Sequence, residues 1–328
     1  MTLNRRNLLA SAGATGAALA MGLPRIARAQ KPPIKVLVGF PTGGATDAIA
    51  RLITDRLPAI LGQPVIVTNP VGVGGRIAAD ALLAAPADGL SFMVAPNATP
   101  TFQMLVFRDQ LKWNITKDFA PVASFASYPL GMGVALNTGA SNAREFVEWC
   151  RKNPSKASFG TPGAGGQNHF LGVQLAKTIG VDLQLAPYKG SPPMVTDLVG
   201  GHLPSAISLL DGMMTHHRAG KIKVIGVFTK ERSPLMPDIP TFAEQGINVT
   251  SGEGWTGMWA KAGTPAGDVT RMQNAIRDIL QMADVKQVMT ERLWAQPLFR
   301  NAAELDVMQR AELAHWDPII KASGFKGE

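Results

Sequence analysis

The 328-residue sequence has little of several features that would indicate particular functions. It contains one cysteine, so no intramolecular disulfide can form. Cys150 lies in the apolar-periodic segment FVEWC, which favours a buried structural thiol over a nucleophile. Aromatic residues make up only 6% of the chain and the basic residues are scattered, so nucleic acid is not expected as a partner. GxSxG, HExxH and paired-cysteine motifs are absent, and we predict no catalytic residues and no metal ligands.

Acidic residues are missing from the first 29 positions, which hold four arginines, Arg5, Arg6, Arg25 and Arg28. Removing these four from the formal net charge of +8 leaves +4 on the remainder. A basic start, an apolar Ala/Gly/Leu stretch and small residues before Gln30 predict an export signal over residues 1–29, cut after Ala29. The adjacent Arg5-Arg6 pair resembles a twin-arginine signal, and an ordinary secretory signal or an uncleaved anchor are the alternatives. No later stretch reaches the roughly 18 apolar residues of a membrane span, so we expect a mature protein that is soluble in the periplasm.

Short apolar runs alternate with helical periodicities from residue 34 onward, in the order IKVLVGF, TDAIARLITDRL, VIVTN, RIAADALLAA and LSFMVA. This βαβαβ order, with a nearly continuous apolar first strand, is typical of parallel sheets that are covered on both faces. A second alternating series starts near residue 130, and the segment after Thr264 is mostly helical. We therefore predict two doubly wound α/β lobes around a ligand cleft, with the last helices packed on the first lobe.

Two glycine-rich turns each stand between an apolar strand and a helix. The first turn is GFPTGGATD, residues 39–47, and the second turn is FGTPGAGGQNHF, residues 159–170. Ligands of open α/β sheets bind beyond the carboxyl ends of strands, where a helix N-terminus offers unpaired N–H groups and a partial positive charge. Neither turn contains Lys or Arg or fits a nucleotide-binding motif. Backbone amides and the hydroxyls of Thr42, Thr46 and Thr161 suit a carboxylate, although both turns can also be simple connections.

Three polar or aromatic positions have more than one interpretation. The Asp47 carboxylate either bonds N–H groups of its own loop or faces the ligand, and we favour the first because an anion repels a carboxylate ligand. His169, just behind the second turn, is interpreted as a residue that caps or orients that turn. Trp255 fits core or hinge packing at least as well as ligand stacking.

Segments along nearly the whole mature chain resemble the extracytoplasmic solute receptors of tripartite tricarboxylate transporters, often called Bug receptors. The segments are FPTGGATDAIAR, LGQPVIVTNPVGVGGRIAAD, APADGLSFMV, KDFAPVAS, FGTPGAGGQNHF, APYKGSPPMVTDLVGGHL, AGKIKVIGV, ERSPLMPDIPTFAEQG and WTGMWAKAGTP. The resemblance implies a periplasmic binding protein type II-like fold and a small carboxylate held largely by backbone amides and ordered water. One departure is NPVGVGGRI in place of the more usual NRPGAGGNI, which puts Arg76 where Asn is common; Arg76 either adds charge near the cleft or points to solvent.

By position, the family's ligand-contacting loops correspond to four segments of this chain. The implied ligand-binding residues are Pro41, Thr42, Gly43, Gly44, Ala45, Thr46 and Asp47, then Asn97 and Ala98, then Gly160, Thr161, Gly163, Ala164, Gly165, Gly166 and Gln167, and finally Asp211.

The sequence thus predicts a periplasmic solute-binding receptor that closes two lobes around a small carboxylate and delivers it to the permease subunits of a tripartite tricarboxylate transporter. We expect domain 1 to comprise residues 30–127 and 254–328 and domain 2 residues 128–253, with hinges near residues 127 and 253. We expect a monomer without a cofactor. Two alternatives remain: an exported enzyme that acts on a small organic acid, with Asp47, His169 or Asp211 as general base, and a ligand sensor that feeds a membrane signalling protein.

Overall fold

The computed structural model describes residues 31–249 and 252–327, and the predicted export signal lies outside this part of the chain. The described residues from Pro33 onward form one compact unit. Within these residues, no helix combines the length and the apolar character that crossing a membrane requires.

Two β-sheets organise the described residues. In chain order the strands are β1 (Ile34–Val38), β2 (Val65–Thr68), β3 (Ser91–Pro96), β4 (Phe119–Tyr128), β5 (Leu130–Ala135), β6 (Ser158–Thr161), β7 (Gln184–Pro187), β8 (Ser205–Leu209), β9 (Ile222–Val227), β10 (Gly254–Lys261) and β11 (Gln296–Arg300). The first sheet has the order β11-β4-β10-β3-β1-β2, and the second has the order β7-β6-β8-β5-β9. We use "first lobe" and "second lobe" for these two sheets with the helices that cover them.

Parallel strands form the half of each sheet that carries a glycine turn. In the first sheet, β1 pairs in parallel with β2 and β3. In the second sheet, β6 pairs in parallel with β7 and β8. The remaining strands are antiparallel: β10 pairs with both β3 and β4, and β5 pairs with both β8 and β9. The two predicted α/β lobes are therefore present, each as a mixed sheet.

Helices connect and cover the strands. Their bounds are Ala45–Thr54, Leu57–Leu61, Arg76–Ala84, Met104–Val106, Ile115–Asp118, Ala143–Lys152, Gln167–Ile179, Ser191–Val199, Asp211–Arg218, Ala266–Gln281, Ala283–Glu291 and Ala302–Ser323. Short 3₁₀ turns lie at Val73–Gly75, Leu136–Thr138 and Pro154–Lys156, and a π-helical turn lies at Ala98–Gln103. We call Ala302–Ser323 the C-terminal helix.

The helix Ala143–Lys152 begins with a side-chain cap. The side chain of Asn142 accepts the N–H of Glu145 at 3.0 Å, which satisfies one of the amides that a helix start leaves without an intrahelical partner. Further along this helix Cys150 is fully buried in the second-lobe core. Burial raises the pKa of its thiol to about 12, so the thiol stays protonated and unreactive. The interpretation of Cys150 as a structural residue is confirmed.

The first sheet is covered on both faces, as its continuous apolar strands predict. Along β3, Phe92 and Val94 belong to one buried cluster and the intervening Met93 to another. The first cluster includes Ile53 of the helix that follows β1, and the second includes Leu305 of the C-terminal helix. This alternation follows from the two-residue period of a strand.

The C-terminal helix packs on both lobes. Its first turns join the first-lobe core through Leu305, whereas Trp316 lies within the second-lobe core. Phe102 of the first lobe stacks with Phe170 of the second at 6.1 Å between ring centroids, and Trp316 lies 5.2 Å from Phe102. The expectation that the last helices return to the first lobe therefore describes only half of the contact that this helix makes.

Gly172 lies inside the helix Gln167–Ile179, where a Cβ would come within 2.0 Å of the Phe159 ring on β6. We expect Gly172→Ala to lower the free energy of unfolding by about 1–3 kcal/mol through overpacking, as measured by urea denaturation. Gly267→Ala is the matched control, because Gly267 is also helical and has no neighbour within 4 Å of its Cβ position. The control should be neutral or more stable by up to about 1 kcal/mol. Equal losses in both variants would contradict this account of the packing.

Candidate ligand-binding site

In the first turn, a left-handed glycine precedes a glycine at the helix start. Gly43 has φ = +80°, and Gly44, the N-cap of the helix Ala45–Thr54, is extended with ψ = 165°. The N–H of Gly43 donates to Asp47 Oδ2 at 2.9 Å, so the side chain in the first helical turn folds back on the loop. Asn69 Nδ2 donates to the other oxygen, Asp47 Oδ1, at 2.8 Å.

The Asp47 carboxylate is buried, with 1% of the residue exposed, and it is held in its ionised form. Burial alone would raise its pKa, but hydrogen bonds from Arg51, Gly43 and Asn69 outweigh burial and hold the pKa of Asp47 below its ordinary value. The Arg51 Nε to Asp47 Oδ2 distance is 2.8 Å. Both oxygens therefore accept from the protein, which confirms the loop-fixing interpretation of Asp47.

The second turn repeats this arrangement. Gly165 has φ = +77°, and Gly166, the N-cap of the helix Gln167–Ile179, is extended with ψ = 179°. The N–H of Gly165 donates to His169 Nδ1 at 3.2 Å. In both turns the side chain four residues after the left-handed glycine accepts the N–H of that glycine. The shared pattern is Gly-Gly-x-x-acceptor, GGATD in the first turn and GGQNH in the second.

His169 meets the same geometric need with a neutral side chain. It is 5% exposed and packs against the rings of Phe170 and Phe325, with centroid distances of 4.7 and 4.8 Å. Burial lowers the pKa of His169, and the neutral imidazole leaves Nδ1 free to accept. The structural interpretation of His169 is confirmed. Phe325 also covers the turn itself, because a Cβ on Gly165 would lie 3.1 Å from its ring.

Each turn places a glycine N-cap at a helix start. Such an N-cap has no side chain to cap the first N–H groups, and the first N–H groups of a helix have no acceptor within the helix itself. Gly43, Gly163 and Gly166 open onto free space, with no heavy atom within 4 Å of the position of a Cβ. The amides and the positive end of the helix dipole therefore present two places where an anionic oxygen is stabilised.

A cavity of about 30 Å³, which we call the cleft cavity, lies where the first turn meets the second lobe. Ala45 and Thr46 line it together with Asp211, Tyr128 and Trp294. The eleven described residues that line it include no Lys or Arg. Its volume fits ordered water and is too small for an organic molecule.

Asn97 connects the two lobes beside the second turn. Its Nδ2 donates to Gln167 Oε1 at 2.9 Å and to Glu312 Oε1 at 2.8 Å. The other oxygen of Glu312 accepts from Thr101 Oγ1 at 2.6 Å and from Trp255 Nε1 at 3.2 Å. Burial raises the pKa of Glu312 to about 7, although these hydrogen bonds act to lower it. Trp255 on β10 is 3% exposed, so its ring is packed within the protein.

The structure brings some of the predicted site residues together and separates others. Ala45, Thr46 and Asp211 share the cleft cavity, and Asn97 bonds Gln167. The tips of the turns are exposed at Pro41, Thr42, Gly43, Gly163 and Ala164, while Gly44, Ala98 and Gly166 are partly buried. Gly160 and Thr161 are buried within β6 rather than at the tip, and the Thr161 hydroxyl donates to Gly163 O at 2.8 Å.

Sequence reasoning missed three residues, two that line the cleft cavity and one that holds Asn97. Tyr128 lines the cleft cavity, and its hydroxyl donates to Trp255 O at 3.1 Å. Trp294 has φ = +49°, and the Arg218 guanidinium of the second lobe lies 4.7 Å from its ring centroid. Glu312 holds Asn97 from a helix that follows it by 215 positions. No local motif marks these positions, because their partners are distant in sequence.

The alternatives left open for Arg76 have a structural answer. Its guanidinium lies 4.1 Å from the ring centroid of Phe107, in a cation–π contact within the first lobe. The side chain is partly buried, so it neither extends freely into solvent nor lines the cleft cavity.

Two α/β lobes of this kind are the architecture of periplasmic binding proteins. Two other solved structures are similar to the chain. Rpa4515 of R. palustris with adipate has a TM-score of 0.79 and 28% identity, covering 89% of this chain and 97% of that chain. MatC (Rpa3494) from Rhodopseudomonas palustris with bound malate has a TM-score of 0.75 and 28% identity, covering 88% and 98%.

The chain belongs to the tripartite tricarboxylate transporter receptor family, whose model matches residues 49–325. A curated relative, the UPF0065 protein in the tcbD-tcbE intergenic region of Pseudomonas sp. strain P51, is 32% identical over 299 residues, covering 88% of this chain and 86% of that protein. The predicted family and fold are confirmed. Because the family and its structural neighbours are solute-binding receptors, this chain is a receptor, and the exported-enzyme alternative is wrong.

Asp47→Ala removes the acceptor of the Gly43 N–H and leaves Arg51 and Asn69 without their shared carboxylate. We expect a loss of about 1–3 kcal/mol in the free energy of unfolding near pH 7. The pKa of Asp47 is lowered on folding, so its contribution is complete above the ordinary value of 3.8 and is lost as the pH falls below it. Urea denaturation across pH should show the unfolding free energies of Asp47→Ala and the wild type converging at low pH. Asp80→Ala, at an exposed position, is the control, and a pH-independent loss in Asp47→Ala would argue against the assigned role.

His169→Gln tests the neutral imidazole. The pKa of His169 is lowered on folding, so its stabilising contribution is complete above the ordinary value of 6.5 and declines as the pH falls below it. The unfolding free energy of His169→Gln should therefore depend less on pH than that of the wild type between 6.5 and about 5. Exposed His202→Gln should retain the wild-type profile. If the profile of His169→Gln also matches the wild type, His169 does not titrate in the way the structure implies.

Proposed function

We propose that this receptor binds a small carboxylate between its two lobes and delivers it to the permease subunits of a tripartite tricarboxylate transporter. The observation that carries the proposal is the matched pair of turns, each with a glycine N-cap at a helix start and a buried side chain that fixes the preceding glycine. The similar structures of MatC with malate and Rpa4515 with adipate support a carboxylate as the ligand class.

The charge distribution of the turns favours a carboxylate over a phosphate. Neither turn contains Lys or Arg, so the attraction comes from backbone amides and helix dipoles, which match the single negative charge of a carboxylate group. Ala45 and Thr46 at the start of the first helix are the positions we assign to direct contact. The remaining predicted residues of the two turns, with Asn97 and Ala98, complete the proposed binding loops.

Asp211 indicates which chemical group the ligand carries at its other end. Asp211 lines the cleft cavity, whose described lining has no cation to offset a carboxylate. A hydroxyl or ammonium donor on the ligand would bond Asp211, whereas a second carboxylate at this point would be repelled. We therefore propose that the ligand directs a hydrogen-bond donor, and not a carboxylate, toward Asp211.

Binding is proposed to proceed by hinge closure. The chain passes from β4 to β5 through Pro129 and returns to the first sheet at Gly254. Rotation near residues 127 and 253 would part domain 1, residues 30–127 and 254–328, from domain 2, residues 128–253, and admit the ligand. A ligand that bridges both lobes stabilises the closed state by the contacts it makes only there. We propose that the protein acts as a monomer in the periplasm after cleavage of the signal at residues 1–29.

Ala45→Pro tests the amide contact directly. Proline is accepted at the first helical position, and the extended Gly44 before it has the backbone that precedes proline readily, so only the N–H should be lost. We expect the affinity for the carboxylate to fall by about tenfold or more, because a charge-assisted hydrogen bond is removed. The measurement is thermal shift of refolded mature protein against a panel of carboxylates, with the corresponding amides as controls.

Ala283→Pro provides the matched variant, because Ala283 is also the first residue of a helix and lies outside the cleft lining. It should retain wild-type shifts. A ligand at 100 times its dissociation constant adds about 2.7 kcal/mol of stability, which raises the thermal unfolding midpoint measurably. Equal shifts with acids and amides would overturn the carboxylate proposal. Full affinity in Ala45→Pro would show that the first-turn amide is not a ligand contact.

A further inference from the structure

Strands β4 and β10, which pair with each other, have a cavity on each face. Tyr128 and Thr256 line the cleft cavity, whereas their neighbours Ser127 and Trp255 line a second cavity of about 250 Å³. Because successive residues of a strand point to opposite faces, the two cavities lie on opposite sides of these strands. We call the second one the rear cavity. The C-terminal helix covers it with Glu312 and other residues.

Charged side chains of both signs line the rear cavity and do not pair with each other. Arg300 at the end of β11 and Glu253 just before β10 both line it, and both are partly buried. Within residues 31–249 and 252–327, neither side chain takes part in an ion pair closer than 4.0 Å. Glu312 adds a second carboxyl group, which is held in place by Asn97 and Trp255.

A polar group without a partner also lines this cavity. Ser127 is 1% exposed, and its Oγ has no hydrogen-bond partner among the described residues. Buried hydroxyl groups are nearly always hydrogen-bonded in native proteins, so an occupant of the cavity that bonds Ser127 Oγ would be favoured. The ring of Trp255 forms an apolar wall beside it.

We propose that the rear cavity is a second ligand site, built for a small zwitterion such as an α-amino acid. The carboxylate of the ligand would bond the Arg300 guanidinium and the Ser127 hydroxyl, and the ammonium would lie between Glu253 and Glu312. A simple anion would meet two carboxyl groups, and a simple cation would meet Arg300. Only a molecule with both charges compensates both kinds of charged group in the lining, and the volume restricts it to a small one.

The test uses the mature protein with glycine, L-alanine and L-serine as zwitterions, acetate as the anion and methylammonium as the cation. Isothermal titration calorimetry with ligand up to about 10 mM would detect a dissociation constant near 1 mM. Arg300→Gln and Ser127→Ala are the test variants, and Arg292→Gln, at an exposed arginine outside the cavity, is the matched control. Ala45→Pro distinguishes binding at the rear cavity from binding in the cleft.

We expect at least one zwitterion to bind the wild type and Arg292→Gln alike, and its Arg300-dependent binding to persist in Ala45→Pro whatever that variant does to binding in the cleft. Arg300→Gln should weaken this binding by about tenfold or more and Ser127→Ala by a smaller factor. Acetate and methylammonium should not bind at this site. The proposal is overturned if no zwitterion binds, if acetate binds as well as the zwitterions in an Arg300-dependent way, or if binding is lost in Ala45→Pro and kept in Arg300→Gln. The last result would make the zwitterion a cleft ligand, and failure of the rear site leaves the carboxylate proposal for the cleft unaffected.

Discussion

The antiparallel insertion of β10 between β3 and β4 is the constraint on which the rest of this structure depends. The chain completes the second lobe before it returns at Gly254 and pairs with both earlier strands. This pairing fixes the loop after β3, because the N–H of Asn97 donates to Trp255 O at 2.8 Å. It also fixes Tyr128 at the point where β4 leaves the first lobe. Since side chains alternate along these strands, the same pairing separates the cleft cavity from the rear cavity.

The paired turns show how one backbone requirement is met by two kinds of side chain. A left-handed glycine followed by an extended glycine exposes the helix amides, but it also leaves its own N–H to be satisfied. In the first turn an ionised Asp47 accepts this N–H, and Arg51 and Asn69 offset its charge. In the second turn a neutral His169, buried against aromatic rings, does the same. Neither solution places an uncompensated negative charge beside the amides, so both are compatible with an anionic ligand.

Local signals predicted much of this fold, and long-range contacts account for what was missed. The βαβαβ order and the two turns each depend on residues close in sequence. The pattern Gly-Gly-x-x-acceptor was also visible, and its repetition would have identified Asp47 and His169 as equivalent. The contacts of Glu312 and Trp294 had no such signal, because they form only when distant segments pack. The position of β10 in the sheet determines these contacts, and the apolar pattern of a strand does not encode its place in a sheet.

The distribution of apolar contacts between the lobes limits how the proposed closure takes place. Beside the second turn, Phe102 of the first lobe packs with Phe170, and Phe325 after the C-terminal helix covers Gly165. Separating these rings would expose a large apolar area, which is unfavourable in water. The first turn, by contrast, faces Asp211 across a small cavity with polar groups on its wall. A rotation that separates the rings near the second turn would therefore cost more free energy than one that widens the cleft cavity beside the first turn.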